Sequence, residues 1–323
     1  MRESAFVRQN YSKWVRFEQD QTDDPDELAG RFISVTDDLA YAKTFFPKSN
    51  TTVYLNGLAA RFHQSIYVNK KEKSGRLQSF WTTELPLLFK KHEKQLLYSF
   101  LFFVVFCLIG AVSAKYDDSF IRLILSDEYV NMTNENISKG DPFGVYKKEG
   151  KFAMFFYIAF NNIRVSFFTY VSGIFVSVGT VYNLVNNGIM LGSFQYYFFS
   201  KGLGWQSGLV IWIHGTLEIA AIVIAGGAGL VLGNSILFPK TYKRMVSLTR
   251  SAKEGLKIVI GLVPIFVCAA FLEGFVTRHT EMPLWLSVSI LLASLAFIVW
   301  YVILYPNYLS QKLRNDNTRR TEH

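Results

Sequence analysis

The sequence predicts an all-α, polytopic membrane protein with about six transmembrane helices and a helical N-terminal region in the cytoplasm. Three observations lead there. Half of the 323 residues are apolar, with 29 Phe among them, and these residues gather in long stretches almost free of charge after residue 94. Lys and Arg cluster in the connections beside those stretches, which is how membrane proteins fix their orientation. Acidic residues are densest in the first 94 positions, where apolar residues recur at helical spacing among charges, as in soluble helices.

The elements follow in order. Glu3 to Gln19 sets Phe6, Trp14 and Phe17 among charged residues and predicts an amphipathic helix. Pro25, preceded by Asp23 and Asp24, marks a helix start. That second helix runs to Phe46, stops at Pro47 and carries the stripe Leu28, Phe32, Val35 and Leu39. A third runs from Thr51 through Tyr67 to a linker, Lys70 to Gly75. Leu77 to Lys94 mixes Phe80, Trp81, Leu85 and Phe89 with Lys90, Lys91 and Lys94, and is expected to lie on the membrane surface as an amphipathic helix. Residues 1–94 are thus expected to form the cytoplasmic region.

A transmembrane domain is expected over residues 95–310, with spans near 95–114, 152–182, 184–203, 206–233, 257–275 and 284–305. Residues 311–323 form a tail. The first span, Gln95 to Ala114, carries no charge and reaches the roughly 20 residues a bilayer needs. The N-terminus lacks the apolar stretch of a signal peptide, so this span is expected to direct insertion. Basic residues at Lys90 to Lys94, around Lys240 to Lys253, and in the tail put these segments and both termini in the cytoplasm. The 115–151 loop and the short Arg278 to Met282 connection fall outside. The net charge of +9 then reflects topology and anionic lipid rather than nucleic acid. Cys107 and Cys268 lie inside apolar runs, as packing residues do.

Polar residues inside spans are costly and mark candidate sites. Asn161, Asn162 and Arg164 interrupt the second span, and His214 and Glu218 the fourth. His214 and Glu218 are four residues apart and share a helix face. Glu218 is the only carboxylate expected within the neighbouring spans, so it is the expected partner of Arg164. Asn186, Asn187 and Gly188 suggest a helix break, and Asn187 joins the site on that ground. Such a cluster could bind a headgroup, relay protons or coordinate an ion. A zinc site would need a third protein ligand. No His-Glu-x-x-His occurs, and His63, His92, His279 and His323 lie outside the spans, so no metal, cofactor or catalytic residue is expected. Gly188 and Gly192, and Ala221, Ala225, Gly229 and Gly233, recur at fours, the spacing that lets helices approach closely.

Several of these motifs together resemble the stage II sporulation protein M family. They are Asn161-Asn162-Ile163-Arg164, Asn187-Gly188-Ile189-Met190-Leu191-Gly192, His214-Gly215-Thr216-Leu217-Glu218 and Ala225-Gly226-Gly227-Ala228-Gly229. Met1 to Val7, Asp37 to Ala42 and Tyr54-Leu55-Asn56 resemble the soluble region of its longer members. The resemblance implies a bacterial or archaeal multi-spanning inner-membrane protein, and the bacterial inner membrane is the expected location. The sporulation member is a scaffold for cell-wall hydrolases. A scaffold or assembly factor is therefore the expected role, with a homodimer or other membrane proteins as partners beside the lipid bilayer. A transporter or channel built on Arg164, His214 and Glu218 is the alternative, and an intramembrane enzyme the third possibility.

Overall fold

A computed structural model describes residues 2–20, 22, 24–68, 75–144, 150–239, 241–277 and 282–321, without the side chains of 25, 67, 68 and 316–321. Lys240, Arg278 to Glu281 and most of the linker at Lys70 lie outside the described residues, as do the side chains of Arg319 and Arg320 in the tail. The described residues hold helices and no strand. The chain divides into two compact units, Met1–Arg76 and Leu77–His323.

The first unit is three helices: α1 (Glu3–Gln19), α2 (Pro25–Phe45) and α3 (Asn50–Val68). Asp24 accepts from the Asp26 amide at 3.0 Å, satisfying one of the free donors at the start of α2. Phe6, Trp14, Val35, Leu39, Leu55, Leu58 and Phe62 form its core. The Trp14 indole, which must find an acceptor once buried, donates to Asp38 at 2.7 Å.

The second unit opens with α4 (Arg76–Ser79), a π-helical turn (Phe80–Glu84) and α5 (Leu85–Lys91). This segment was expected on the membrane surface. Leu85, Leu88 and Phe89 are buried in one cluster with Ile258, Leu262 and Phe266. The Trp81 indole donates to the Gly261 carbonyl at 3.3 Å, and the Tyr301 hydroxyl to the Trp81 carbonyl at 2.6 Å. Part of the segment's apolar face, at Leu85, Leu88 and Phe89, is thus covered by the second unit, while Leu77 stays exposed.

Then follow α6 (Glu93–Tyr116), α7 (Asp118–Leu125), α8 (Asp127–Ser138), α9 (Lys151–Val171), α10 (Val178–Ser200), α11 (Gly204–Leu237), α12 (Arg244–Phe271), α13 (Leu284–Val299) and α14 (Tyr305–Thr321). Among the described residues, four stretches are long and apolar enough to cross a membrane: Glu93–Tyr116, Gly204–Leu237, Arg244–Thr277 and Leu284–Asn315. With 21 and 23 residues, α9 and α10 have the length, but their asparagines lower the hydropathy. Their packing shows their sense. Gly188 and Gly192 of α10 meet the carbonyls of Phe103 and Cys107, so α10 runs parallel to α6. Asn162 and Gly173 lie against Glu218 and Gly233, so α9 runs parallel to α11. Ser99 bonds to Val223 and Leu96 meets Gly227, so α6 is antiparallel to α11. Gly255 and Thr277 of the next stretch lie against Ala228 and His214, antiparallel again. The chain thus reverses between each of these helices and the next.

The expected break at Asn186 to Gly188 is absent, for α10 passes straight through it. The Asn187 amide donates to the Asn183 carbonyl at 2.8 Å, and Gly188 serves close approach to α6. The reversal lies earlier, at Ser172–Ser177, inside the stretch read as one span. There Val176 and Ser177 take φ of 55° and 68°, a strained conformation for residues bearing a Cβ. Gly173 closes this turn against the Gly229 carbonyl, with no room for a side chain.

Candidate functional site

The site is built from three helices of the second unit. His214 and Glu218, one turn apart on α11, present their side chains on one face. α12 continues into a π-helical turn, Leu272–Thr277. The wider π turn is rare and recurs at functional sites. Here it aims Glu273 and Thr277, also four residues apart, at α11. α9 contributes Asn162.

The ligating atoms of His214, Glu218 and Glu273 all lie within 4.8 Å of one another. His214 is 4 % exposed, and its Nε2 stands 3.8 Å from Glu273 Oε2. The Asn162 amide donates to Glu218 Oε1 at 2.5 Å. His214 Nδ1 lies 3.0 Å from the Thr277 hydroxyl. That hydroxyl spends its one hydrogen on the Leu272 carbonyl, at 3.2 Å. In that arrangement its oxygen accepts from His214, the ring hydrogen sits on Nδ1 and Nε2 is left for the carboxylates. Two carboxylates this close, away from water, repel each other if both are charged. A proton or a cation between them relieves that repulsion.

A cavity of about 280 Å³ approaches from the side of the α6–α9 connection. Asp141, Phe143, Gln206, Val210 and Ile213 line it, and it reaches Thr277, the residue that holds His214.

The structure brings Asn162, His214 and Glu218 together. It does not bring in the others. Arg164 and Asn161 are exposed on the outer side of α9, and among the described residues no ion pair joins Arg164 to Glu218. Asn187 spends its amide on its own helix. Sequence reasoning missed Glu273 and Thr277: Glu273 lies inside the span expected at 257–275 but was not weighed as a partner of the His214 and Glu218 pair, and Thr277 lies just beyond that span. Glu218 is therefore not the only carboxylate within reach, and the third ligand that seemed lacking is supplied by the fold. The signal was a carboxylate directly ending an apolar run, in Leu272-Glu273-Gly274-Phe275-Val276-Thr277, a spacing of four that mirrors His214 and Glu218.

Residues 99–278, more than half of the chain, match the family described as Stage II sporulation protein M. Residues 4–68 match a Domain of unknown function (DUF8413), which coincides with the three-helix unit. All five residues of the cluster fall inside the first match. No curated protein and no solved structure matches the chain.

Proposed function

The chain belongs to the stage II sporulation protein M family, and we propose that it is a six-span bacterial inner-membrane protein that moves a small cation, a proton or a metal ion, by way of His214, Glu218 and Glu273. The observation that carries this reading is the convergence of three ionisable side chains within 4.8 Å inside helices apolar enough to span a bilayer. Packing alone does not call for such a group: apolar residues of similar volume serve a core as well or better. Ionisable residues inside membrane segments mark ion pathways, and the cavity reaching Thr277 supports access from one side.

The reading includes α9 and α10 as spans, since they alternate in sense with α6, α11 and α12. Both termini and the loop near Lys243 are then cytoplasmic, and α7 and α8 lie outside. Labelling of single cysteines at positions 139 and 243, both exposed, tests this, with reaction expected from outside and from inside respectively.

A second reading is the scaffold. It is favoured by the three-helix unit, which forms its own core yet leaves Ile33, Phe45 and Val53 exposed. One experiment separates the two. The purified chain in liposomes is given a proton gradient, or external Zn²⁺ or Mn²⁺ with an entrapped indicator. Flux that is lost in Glu218→Gln is expected. No flux of protons or of either metal would overturn transport and leave the scaffold.

A further inference from the structure

We infer that His214 Nε2, Glu218 and Glu273 bind a divalent transition-metal ion of the zinc or manganese class, with Thr277 and Asn162 as its positioning residues. The inference rests on the same cluster as the transport reading and names its cation. It stands on equilibrium binding, into which flux does not enter.

Distance is the first argument. A tetrahedral ion with ligands at about 2.0–2.2 Å holds neighbouring ligand atoms about 3.3–3.6 Å apart. His214 Nε2 and Glu273 Oε2 are 3.8 Å apart, too far for a hydrogen bond and close to what a bridging ion requires. A small side-chain rotation closes the remaining gap within the 4.8 Å cluster.

Ligand presentation is the second. A ligating imidazole offers one nitrogen to the metal and donates its other N–H to an oxygen that fixes the tautomer. Thr277 is placed for that part: its oxygen lies 3.0 Å from His214 Nδ1, and the Leu272 carbonyl stands ready to take its hydrogen. Asn162 does the equivalent for Glu218, holding Oε1 and leaving Oε2 to the ion. Both supports come from elements other than α11, so the ligand geometry is set by packing of α9, α11 and the π turn.

Charge is the third. Two carboxylates and one neutral imidazole exactly offset a divalent ion, which suits a site removed from water. Imidazole beside carboxylate favours zinc, manganese or iron over magnesium and calcium, which take oxygen ligands. Three protein ligands leave at least one position open, on a site whose supporting hydroxyl borders the cavity.

The full-length protein in detergent is stripped with a chelator and titrated with Zn²⁺ and Mn²⁺ against a chromophoric competitor, with Mg²⁺ and Ca²⁺ for comparison. Bound metal is counted by mass spectrometry. One ion per chain is expected, with Mg²⁺ and Ca²⁺ far weaker. Glu273→Gln and His214→Gln should each abolish stoichiometric binding. Thr277→Val should weaken it about tenfold to a hundredfold while one site still fills at saturation. Thr277→Ser, which keeps the hydroxyl, should restore it. Because a ligand variant could misfold, Co²⁺ absorption of the wild type gives an independent reading: intense visible bands that vanish on adding Zn²⁺ are expected. No bound ion in the wild type, or an ion that survives both ligand variants, overturns the inference. Proton flux without bound metal overturns it and leaves transport standing. Bound metal without any flux does the reverse.

Discussion

The side-chain amide of Asn162 on α9 donates to Glu218 Oε1 on α11 across 2.5 Å. This bond ties a helix rich in exposed aromatic residues to one of the most deeply buried helices in the chain. It neutralises nothing, for an amide carries no charge. It orients one carboxylate oxygen and leaves the charge of the two acids to be balanced by whatever sits between them.

Replacing Asn162 with Leu should therefore cost about 1–3 kcal/mol, the penalty for stranding a buried acceptor. Thermal unfolding in detergent measures it. Asn162→Asp should be worse in metal-free buffer, since it sets a third carboxylate beside two others, and should regain stability when Zn²⁺ is added. Equal melting of this variant with and without Zn²⁺ would count against the metal site.

Helix packing gives a prediction with opposite signs at two glycines. At Gly192 an added Cβ would collide with the Cys107 carbonyl, a backbone atom that cannot turn aside. Gly192→Leu should lower stability by about 1–3 kcal/mol or more, as overpacking does. At Gly208, also on a helix, nothing lies within 4 Å of such a Cβ. Gly208→Ala should stabilise by up to about 1 kcal/mol through helix propensity. The same melting measurement reads both.

The segment before α6 offers a third. Leu85 is fully buried and fills the space over Gly261. Leu85→Ala should cost about 2–5 kcal/mol, the usual range for a core leucine. Unchanged melting would show that this packing against α12 does not contribute to the fold.

The helices themselves were legible because their signals are local. Caps, prolines and a 3.6-residue period sit within one turn or two, and Asp24, Pro25 and Pro47 bound α2 nearly to the residue. Uninterrupted apolarity identified α6 just as well. What was not legible depended on what each face touches. Phe80 to Phe89 has the pattern of an interfacial helix whether its apolar side meets lipid or α12. Asn186 to Gly188 reads as a break unless α6 is known to lie against Gly188. Half of the cluster was visible in the His214 and Glu218 spacing. Its other half lies about 60 residues on, in a π turn, and no periodicity announces that Glu273 and Thr277 fold back onto α11.

In the three-helix unit, Glu18 accepts from Arg61 at 2.6 Å and from Tyr54 at 2.9 Å. The bond from Arg61, then that from Tyr54, holds its carboxyl below the usual value. A depressed folded pKa gives stability that is present above the unfolded value and lost as pH falls through the folded one. Tyr54 runs the other way. Burial, with Glu18 next to it, pushes its hydroxyl up from 10.0 to about 12, so its share is present below pH 10 and lost as pH rises toward about 12. Circular dichroism of residues 1–76 should show Tyr54→Phe flattening the alkaline loss between those values. Glu18→Gln should differ from the wild type near neutrality by less than about 1 kcal/mol, since the pair is solvent-screened, and converge with it in acid. A Tyr54→Phe unit that loses stability over the alkaline window as the wild type does would show that the hydroxyl titrates without consequence.

Arg164 supplies the last test. A guanidinium cannot shed its proton, so within a span it needs either a partner or a route to water. Among the described residues no ion pair holds it, and it lies on the exposed side of α9, seven residues before the helix ends at Val171. At about 1.5 Å per residue that is about 10 Å from the end, a gap that its long stem narrows as it snorkels toward the headgroups. Glu218 is bonded instead to Asn162, which lies on another face of α9. The two should not be coupled. Arg164→Gln and Glu218→Gln, combined, should sum to within about 0.5 kcal/mol of the single effects, as separated sites do. Asn162→Leu and Glu218→Gln should not, because the second change removes the acceptor charge that the first one strands. If the Arg164 cycle instead shows a coupling above about 1 kcal/mol, the arginine reaches the cluster, and a salt bridge would replace the metal ion as the means of balancing its charge.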